Sequence, residues 1–232
     1  MDQTERYTPR RADKRTKAVV NYQMTNDPEN ALCNNWINTM QFDHRGLLWI
    51  GTASGVSCFN PKTRHFRKHP KGSLAYSLVC VSLAELPNGD IALGGDNGLY
   101  LYHYASGSIT PFPDAQALSG KMVMAILPLR NGDLWCSSSY GLWHYQKSKK
   151  SLTNYLHAPG LGTREYEPEI RLQRKDGSIL FGINDGVTIF HPERLVQERW
   201  KGGTIHLCNI FVEGKPVQMG SLSNGNPIIK QK

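Results

Sequence analysis

The sequence predicts an all-β fold, and three observations carry that prediction. A glycine recurs at Gly46, Gly89, Gly132 and Gly177, at intervals of 43, 43 and 45 residues. Nine residues after each stands a second glycine, at Gly55, Gly98, Gly141 and Gly186, and four residues later an aromatic: Phe59, Tyr102, Tyr145 and Phe190. The runs between paired glycines, such as 47–52 and 134–137, are rich in Trp, Leu and Ile; they are long enough for strands and too short for helices.

Each element follows from that frame. Asn88-Gly89, Asn131-Gly132 and Asp176-Gly177 tolerate positive φ and predict tight hairpin turns, as do Asn97-Gly98 and Asp185-Gly186 at the second turn. The first strand of each unit precedes its leading glycine, near 36–43, 78–86, 122–129 and 169–173. The second glycine opens a third strand that ends at the aromatic. Seven positions on come Phe66, Ile109 and Leu152, followed three later by His69, Phe112 and Tyr155, which predicts a fourth, outer strand. Four short antiparallel strands repeated at about 40–45 residues are the signature of a propeller blade. The expectation is therefore a β-propeller with four recognisable blades of four-stranded antiparallel sheet, near 34–69, 77–112, 121–155 and 165–191. Trp49 and Trp135, with Ala92 and Leu180 at the equivalent places, are expected in the core between blades.

Val19 and Tyr22 repeat the spacing of the outer strand, so 19–24 reads as a stray outer strand, while the fourth unit reaches Phe190 and has Gln197 where an outer-strand residue belongs. Either the two ends meet and close a ring, or the four blades are an arc of a larger propeller. The second is the expectation.

The 232 residues are 39% hydrophobic, and no apolar run reaches the roughly 20 residues of a membrane helix. The N-terminus carries no apolar leader; residues 1–18 instead hold six basic residues against Asp2, Glu5 and Asp13, and read as a basic tail without structure. The net charge of +8 is otherwise scattered, apart from Lys147, Lys149 and Lys150, so nucleic acid is not the expected partner. Cys33, Cys58, Cys80, Cys136 and Cys208 contain no Cys-x-x-Cys pair and are read as small buried hydrophobes. The dispersed histidines give no metal site, and no cofactor is implied.

Residues 26–69 resemble the two-component regulator propeller repeat of hybrid two-component sensors in Bacteroides-type bacteria. The matching elements are Asn34 to Ile37, Asp43-x-x-Gly46, Leu48-Trp49-Ile50-Gly51-Thr52, and Gly55 leading to Phe59-Asn60. Units two to four keep the glycines and aromatics but lose Trp-Ile-Gly-Thr. The segment 190–217 is similar to the linker and first strands of the Ig-like domain that follows such propellers, so 196–232 is expected to be a linker and an incomplete Ig-like start. The resemblance implies a periplasmic, ligand-sensing region, with carbohydrate breakdown products as ligands and a histidine kinase carried outside this chain. It implies as partners an oligosaccharide and the remainder of the sensor or a second propeller, and it leaves a homodimer open.

In a propeller, the lead-in to strand one and the loop between strands two and three open on one face, the usual ligand mouth. The residues placed there that suit a sugar are Asp96, Asn97, Tyr140, Arg164, Glu165, Tyr166, Asn184 and Asp185, although Asn97, Asn184 and Asp185 also suit turns. No nucleophile elbow, phosphate loop or metal-helix motif occurs, so no catalytic residue is assigned. The competing readings are a WD-type interaction scaffold and a propeller lyase or glycoside-acting enzyme.

Overall fold

The computed structural model describes residues 10–12, 19–25, 31–69, 72–156, 161, 165–195, 210–212, 215–217, 222–223 and 226–227. Two strands, β1 (Arg10–Ala12) and β2 (Val19–Asn21), pair first. Blade one is β3 (Ile37–Phe42), β4 (Leu48–Thr52), β5 (Gly55–Asn60) and β6 (His65–Phe66). Blade two is β7 (Cys80–Glu85), β8 (Ile91–Gly95), β9 (Gly98–His103) and β10 (Ser108–Pro111). Blade three is β11 (Val123–Pro128), β12 (Leu134–Ser138), β13 (Gly141–Gln146) and β14 (Ser151–Asn154). Blade four is β15 (Tyr166–Gln173), β16 (Ile179–Ile183) and β17 (Gly186–Phe190). Every blade is an antiparallel meander, so the four predicted propeller blades are present, and the fourth has three strands among the described residues, in keeping with the loss of the outer-strand pattern after Phe190. A second compact unit, Glu198–Lys232, holds two short hairpins, β18 (Ile210–Val212) with β19 (Lys215–Val217) and β20 (Leu222–Ser223) with β21 (Asn226–Pro227).

The repeated glycine does the same work four times. Gly46, Gly89, Gly132 and Gly177 sit at φ of +77°, +84°, +86° and +85°, each donating its N–H to the carbonyl three residues back. A side chain at such φ is strained, which is why the spacing of these glycines marks every first turn. Gly186, by contrast, has no positive φ, so the second turn of blade four departs from Gly55, Gly98 and Gly141.

Blades pack through aromatic and aliphatic faces. Trp49, Ala92 and Trp135 are buried as expected; Leu180, which no following blade covers among the described residues, is partly exposed. Tyr102 of blade two stands edge-on to Trp49 of blade one at 4.7 Å. In blades two and three the aromatic of the third strand also receives the residue after the previous outer strand: His69 meets Tyr102 at 5.6 Å and Phe112 meets Tyr145 at 5.2 Å. Tyr22 meets Phe59 in the same way, at 4.7 Å. Segment 19–24 thus stands where the outer strand of a blade before blade one would stand, and Ala12 lies seven residues before Val19, as Phe59 does before Phe66. The expected structureless tail therefore contains β1, whereas β2 pairs with β1 and not with β17.

The faces left uncovered lie on either side of blades four and one. Val187 and Ile189 are 55% and 53% exposed, while the equivalent Val56, Leu99, Cys58 and Leu101 are at most 8% exposed beneath a following blade. Met40 is 53% exposed, while its equivalents Leu83 and Ile126 are at most 1% exposed beneath a preceding one. Phe42 and Leu172 are exposed beside them.

Candidate functional site

The loops between strands two and three and the lead-ins to strand one do meet on one end of the propeller. Ala53 donates its N–H to the Trp36 carbonyl (3.0 Å) and Ser139 donates to that of Met122 (3.1 Å). Between blades, Gly55 donates to Leu78 (2.8 Å) and Gly120 to Asn97 (3.4 Å). These backbone bonds consume the polar main chain of the loops and leave side chains to face outward.

Of the residues predicted for the mouth, Asp96, Asn97, Tyr140, Glu165, Asn184 and Asp185 are exposed on this end. Tyr140 is 53% exposed, and the Lys121 ammonium lies 5.3 Å from its ring centroid. Asn184 donates through its amide to Glu165 Oε2 at 2.6 Å, joining two predicted residues of blade four. Tyr166 is placed elsewhere: it is buried at 3%, edge-on to Phe181, so its ring is core between blades three and four rather than a ligand platform. Arg164 lies outside the described residues.

Sequence reasoning missed two features of this region. A cavity of about 300 Å³ opens beside Asn97 and is lined by Tyr100, Pro111, Phe112, Gln116 and Ser119. Part of its wall is the turn of 3-10 helix Gln116–Leu118, and its lining residues carry no repeat signal except Gly98 and Phe112. Trp36, 58% exposed, adds a second ring to the mouth; it precedes β3, whereas the sequence places it at the start of that strand.

The third missed feature is a polar cluster at the propeller axis. Glu169, in a wide bulge of β15 at φ +61°, accepts from the Leu83 N–H and from the Thr39 hydroxyl, both at 2.8 Å. Arg171 donates through Nη2 to the Leu83 carbonyl at 2.8 Å and to Gln41 Oε1 at 3.4 Å, and forms an ion pair with Glu169. One acceptor and one donor thus serve both backbone groups of Leu83, as a neighbouring strand would. Burial lowers Arg171 to about 10, so it stays charged at neutral pH. The cluster is internally satisfied and joins blade four to blades one and two.

On the opposite end, Asp43 is buried and accepts from the N–H groups of Arg45 and Leu47 (both 2.9 Å) and from the Trp49 indole (3.0 Å). The Asp43-x-x-Gly46 motif is therefore a turn and core device. Burial pushes the thiols of Cys58, Cys80 and Cys136 up to about 12, which leaves them protonated and inert. Among the described residues, no group of three or more His, Cys, Asp or Glu is placed to hold a metal ion.

Comparison with known proteins agrees with the sequence resemblance. Residues 31–54 match the family model described as Two component regulator propeller. No curated protein matches the chain. Among solved structures, the extracellular domain of the hybrid two component system BT4673 from B. thetaiotaomicron superposes with a TM-score of 0.60 at 18% identity, over 78% of this chain and 24% of that one. That of the hybrid two component system BT3049 from the same organism gives 0.59 at 23% identity, over 77% and 24%. Virginiamycin B lyase from Staphylococcus aureus gives 0.56 at 15% identity, over 81% and 64%. The chain spans about a quarter of the length of the two sensor domains. These likenesses establish the propeller fold, which sensors and a lyase share, and the repeat at 31–54 is of the two-component regulator type.

Proposed function

We propose that this chain is the ligand-sensing propeller region of a two-component sensor, with an oligosaccharide as ligand and the periplasm as its compartment, signalling to a kinase outside this chain. The observation that supports this reading best is the mouth itself. Two exposed rings, Trp36 and Tyr140, share one end of the propeller blades with the carboxylates and amides of Asp96, Asn97, Glu165, Asn184 and Asp185, above a cavity that adds Tyr100 and Gln116. Flat apolar ring surfaces suit the C–H faces of a sugar, and planar amides and carboxylates suit its paired hydroxyls. The regulator repeat at 31–54 and the fold shared with extracellular sensor domains of hybrid systems favour the same assignment.

Calorimetry of the full chain against acidic and neutral oligosaccharides tests it. Binding that is lost in Tyr140→Ala, without turnover of the sugar, supports the sensor; turnover would move the chain to the enzyme class, and silence across the panel would remove the carbohydrate. A protein-binding role is the second reading, carried by the exposed Met40, Phe42, Leu172, Val187 and Ile189, which suit the remainder of a sensor, a second propeller or a second copy.

A further inference from the structure

The end of the propeller opposite the mouth holds a second groove, of about 370 Å³, between blades one and two. Its walls are the turn between β5 and β6 on one side and Tyr104 and Ala105 on the other, with Leu47, Cys58 and Phe66 as its floor. The turn is strongly basic: residues 60–69 contain Lys62, Arg64, Arg67 and Lys68 and no acidic residue. Arg67 is half-buried on the groove wall. It donates through Nη2 to the Tyr104 carbonyl at 2.7 Å, and its guanidinium lies 4.6 Å from the Tyr104 ring. Arg45 covers Tyr104 at 3.8 Å and is itself ion-paired with Glu85 and Asp43. Arg67 has no carboxylate partner among the described residues. A guanidinium offers five N–H donors in a fixed fork, and here the aromatic ring and one carbonyl hold that fork still while most of its donors remain unspent. Thr63 and Asn60 border the same space, although the Asn60 side chain is already accepting from the Lys62 and Thr63 N–H groups.

We propose that this groove is an oxyanion site, in which Arg67 binds a carboxylate or sulfate group of an acidic ligand while Tyr104 fixes the guanidinium plane. Its chemistry differs from that of the mouth, which offers carboxylates and amides on the other end of the blades. The ring of Tyr104 is covered by two arginines, so the site reads charge and fork geometry rather than stacking.

Titration calorimetry at low salt, with trigalacturonate, neutral galactotriose and inorganic sulfate as separate probes, tests the proposal on the full chain. Trigalacturonate is expected to bind and galactotriose not to compete for the groove; competition by sulfate would identify a sulfate-accepting site, and its failure a carboxylate-selective one, both within the proposal. Arg67→Met is expected to weaken trigalacturonate binding by at least about tenfold, and Arg67→Lys, which keeps the charge and loses the fork, by less. Thr63→Trp, which fills the groove and leaves every charge in place, should weaken it as well and guards against an Arg67→Met chain that fails to fold. Tyr140→Ala should leave this binding intact. Equal binding in wild type, Arg67→Met and Thr63→Trp would overturn the groove, as would loss in Tyr140→Ala alone, which would return the acidic ligand to the mouth.

Discussion

The Trp49 indole donates to the carboxylate of Asp43 at 3.0 Å, inside the turn that the same carboxylate closes by accepting from Arg45 and Leu47. One side chain therefore ties the first hairpin to the core between blades one and two. Units two to four have Leu86, Leu129 and Arg174 at the position of Asp43 and lack this tie.

Asp43→Ala should accordingly lower the unfolding free energy by about 3 kcal/mol, because three buried or half-buried donors lose their acceptor. Asp43→Asn keeps one carbonyl acceptor and should cost less. Urea titration followed by tryptophan fluorescence measures both; an Asp43→Ala variant as stable as wild type would remove the turn from the list of stabilising features.

Gly94→Ala should destabilise by about 1–3 kcal/mol. A Cβ there would lie 2.6 Å from the Val123 carbonyl oxygen of the next blade, and backbone cannot step aside as a side-chain tip can. Gly46→Ala is the contrasting control: nothing lies within 4 Å of its Cβ, and its cost comes from φ alone. Thermal melts should show that Val123→Ala rescues neither variant, since the obstruction at Gly94 is main chain and a Cβ at Gly46 meets nothing.

Stability should fall as the pH drops from about 6.5 toward 4. Burial lowers His69 to about 4, with the nearby Arg67 charge adding to the effect. The unfolded chain then binds the proton that the folded chain excludes, so the native state loses stability through this window and the loss levels off below it. His69→Phe reproduces Phe112, the equivalent residue of blade two, and should flatten the pH dependence while keeping the ring contact with Tyr102. Denaturant midpoints measured at pH 7, 5.5 and 4.5 decide it.

Self-association should depend on Val187 and Ile189. Both project from a sheet that ends at β17, which carries no charged or proline residue to guard its edge. Light scattering across a concentration series should show the wild-type chain rising above its monomer mass of 26.1 kDa and the Val187→Lys, Ile189→Lys variant remaining a monomer. A wild-type chain that is monomeric throughout would leave this face without a protein partner of its own kind.

The blades were legible because their turns are local chemistry. A glycine with positive φ, a short apolar run and a terminal aromatic recur in register, and each is fixed by neighbours within a few residues. A further register went unread: Leu32, Ala75, Leu118 and Leu161, spaced 43 residues apart, are all buried at 5% or less where the chain crosses to the next blade. They are ordinary aliphatic residues, three Leu and one Ala, and their flanks differ, so only the spacing betrays them. The mouth was half legible, since loop positions follow from strand order, whereas the inward turn of Tyr166 depends on its packing against Phe181. Glu169 and Arg171 could not be read at all. Their partners, Thr39, Gln41 and Leu83, are 86 to 130 residues away, and no local pattern records who faces whom across an axis.

That axial pair also changes how the repeats should fail. Stacked repeats ordinarily lose order from an end, one unit at a time, since each unit answers only to those beside it. Here the last blade holds the main chain of Leu83 in blade two, so detaching it strands an amide and a carbonyl two units away. Coupling from blade four thus reaches past its neighbour to blade two, and to blade one through Thr39 and Gln41, and hydrogen exchange at Leu83 should report the opening of blade four.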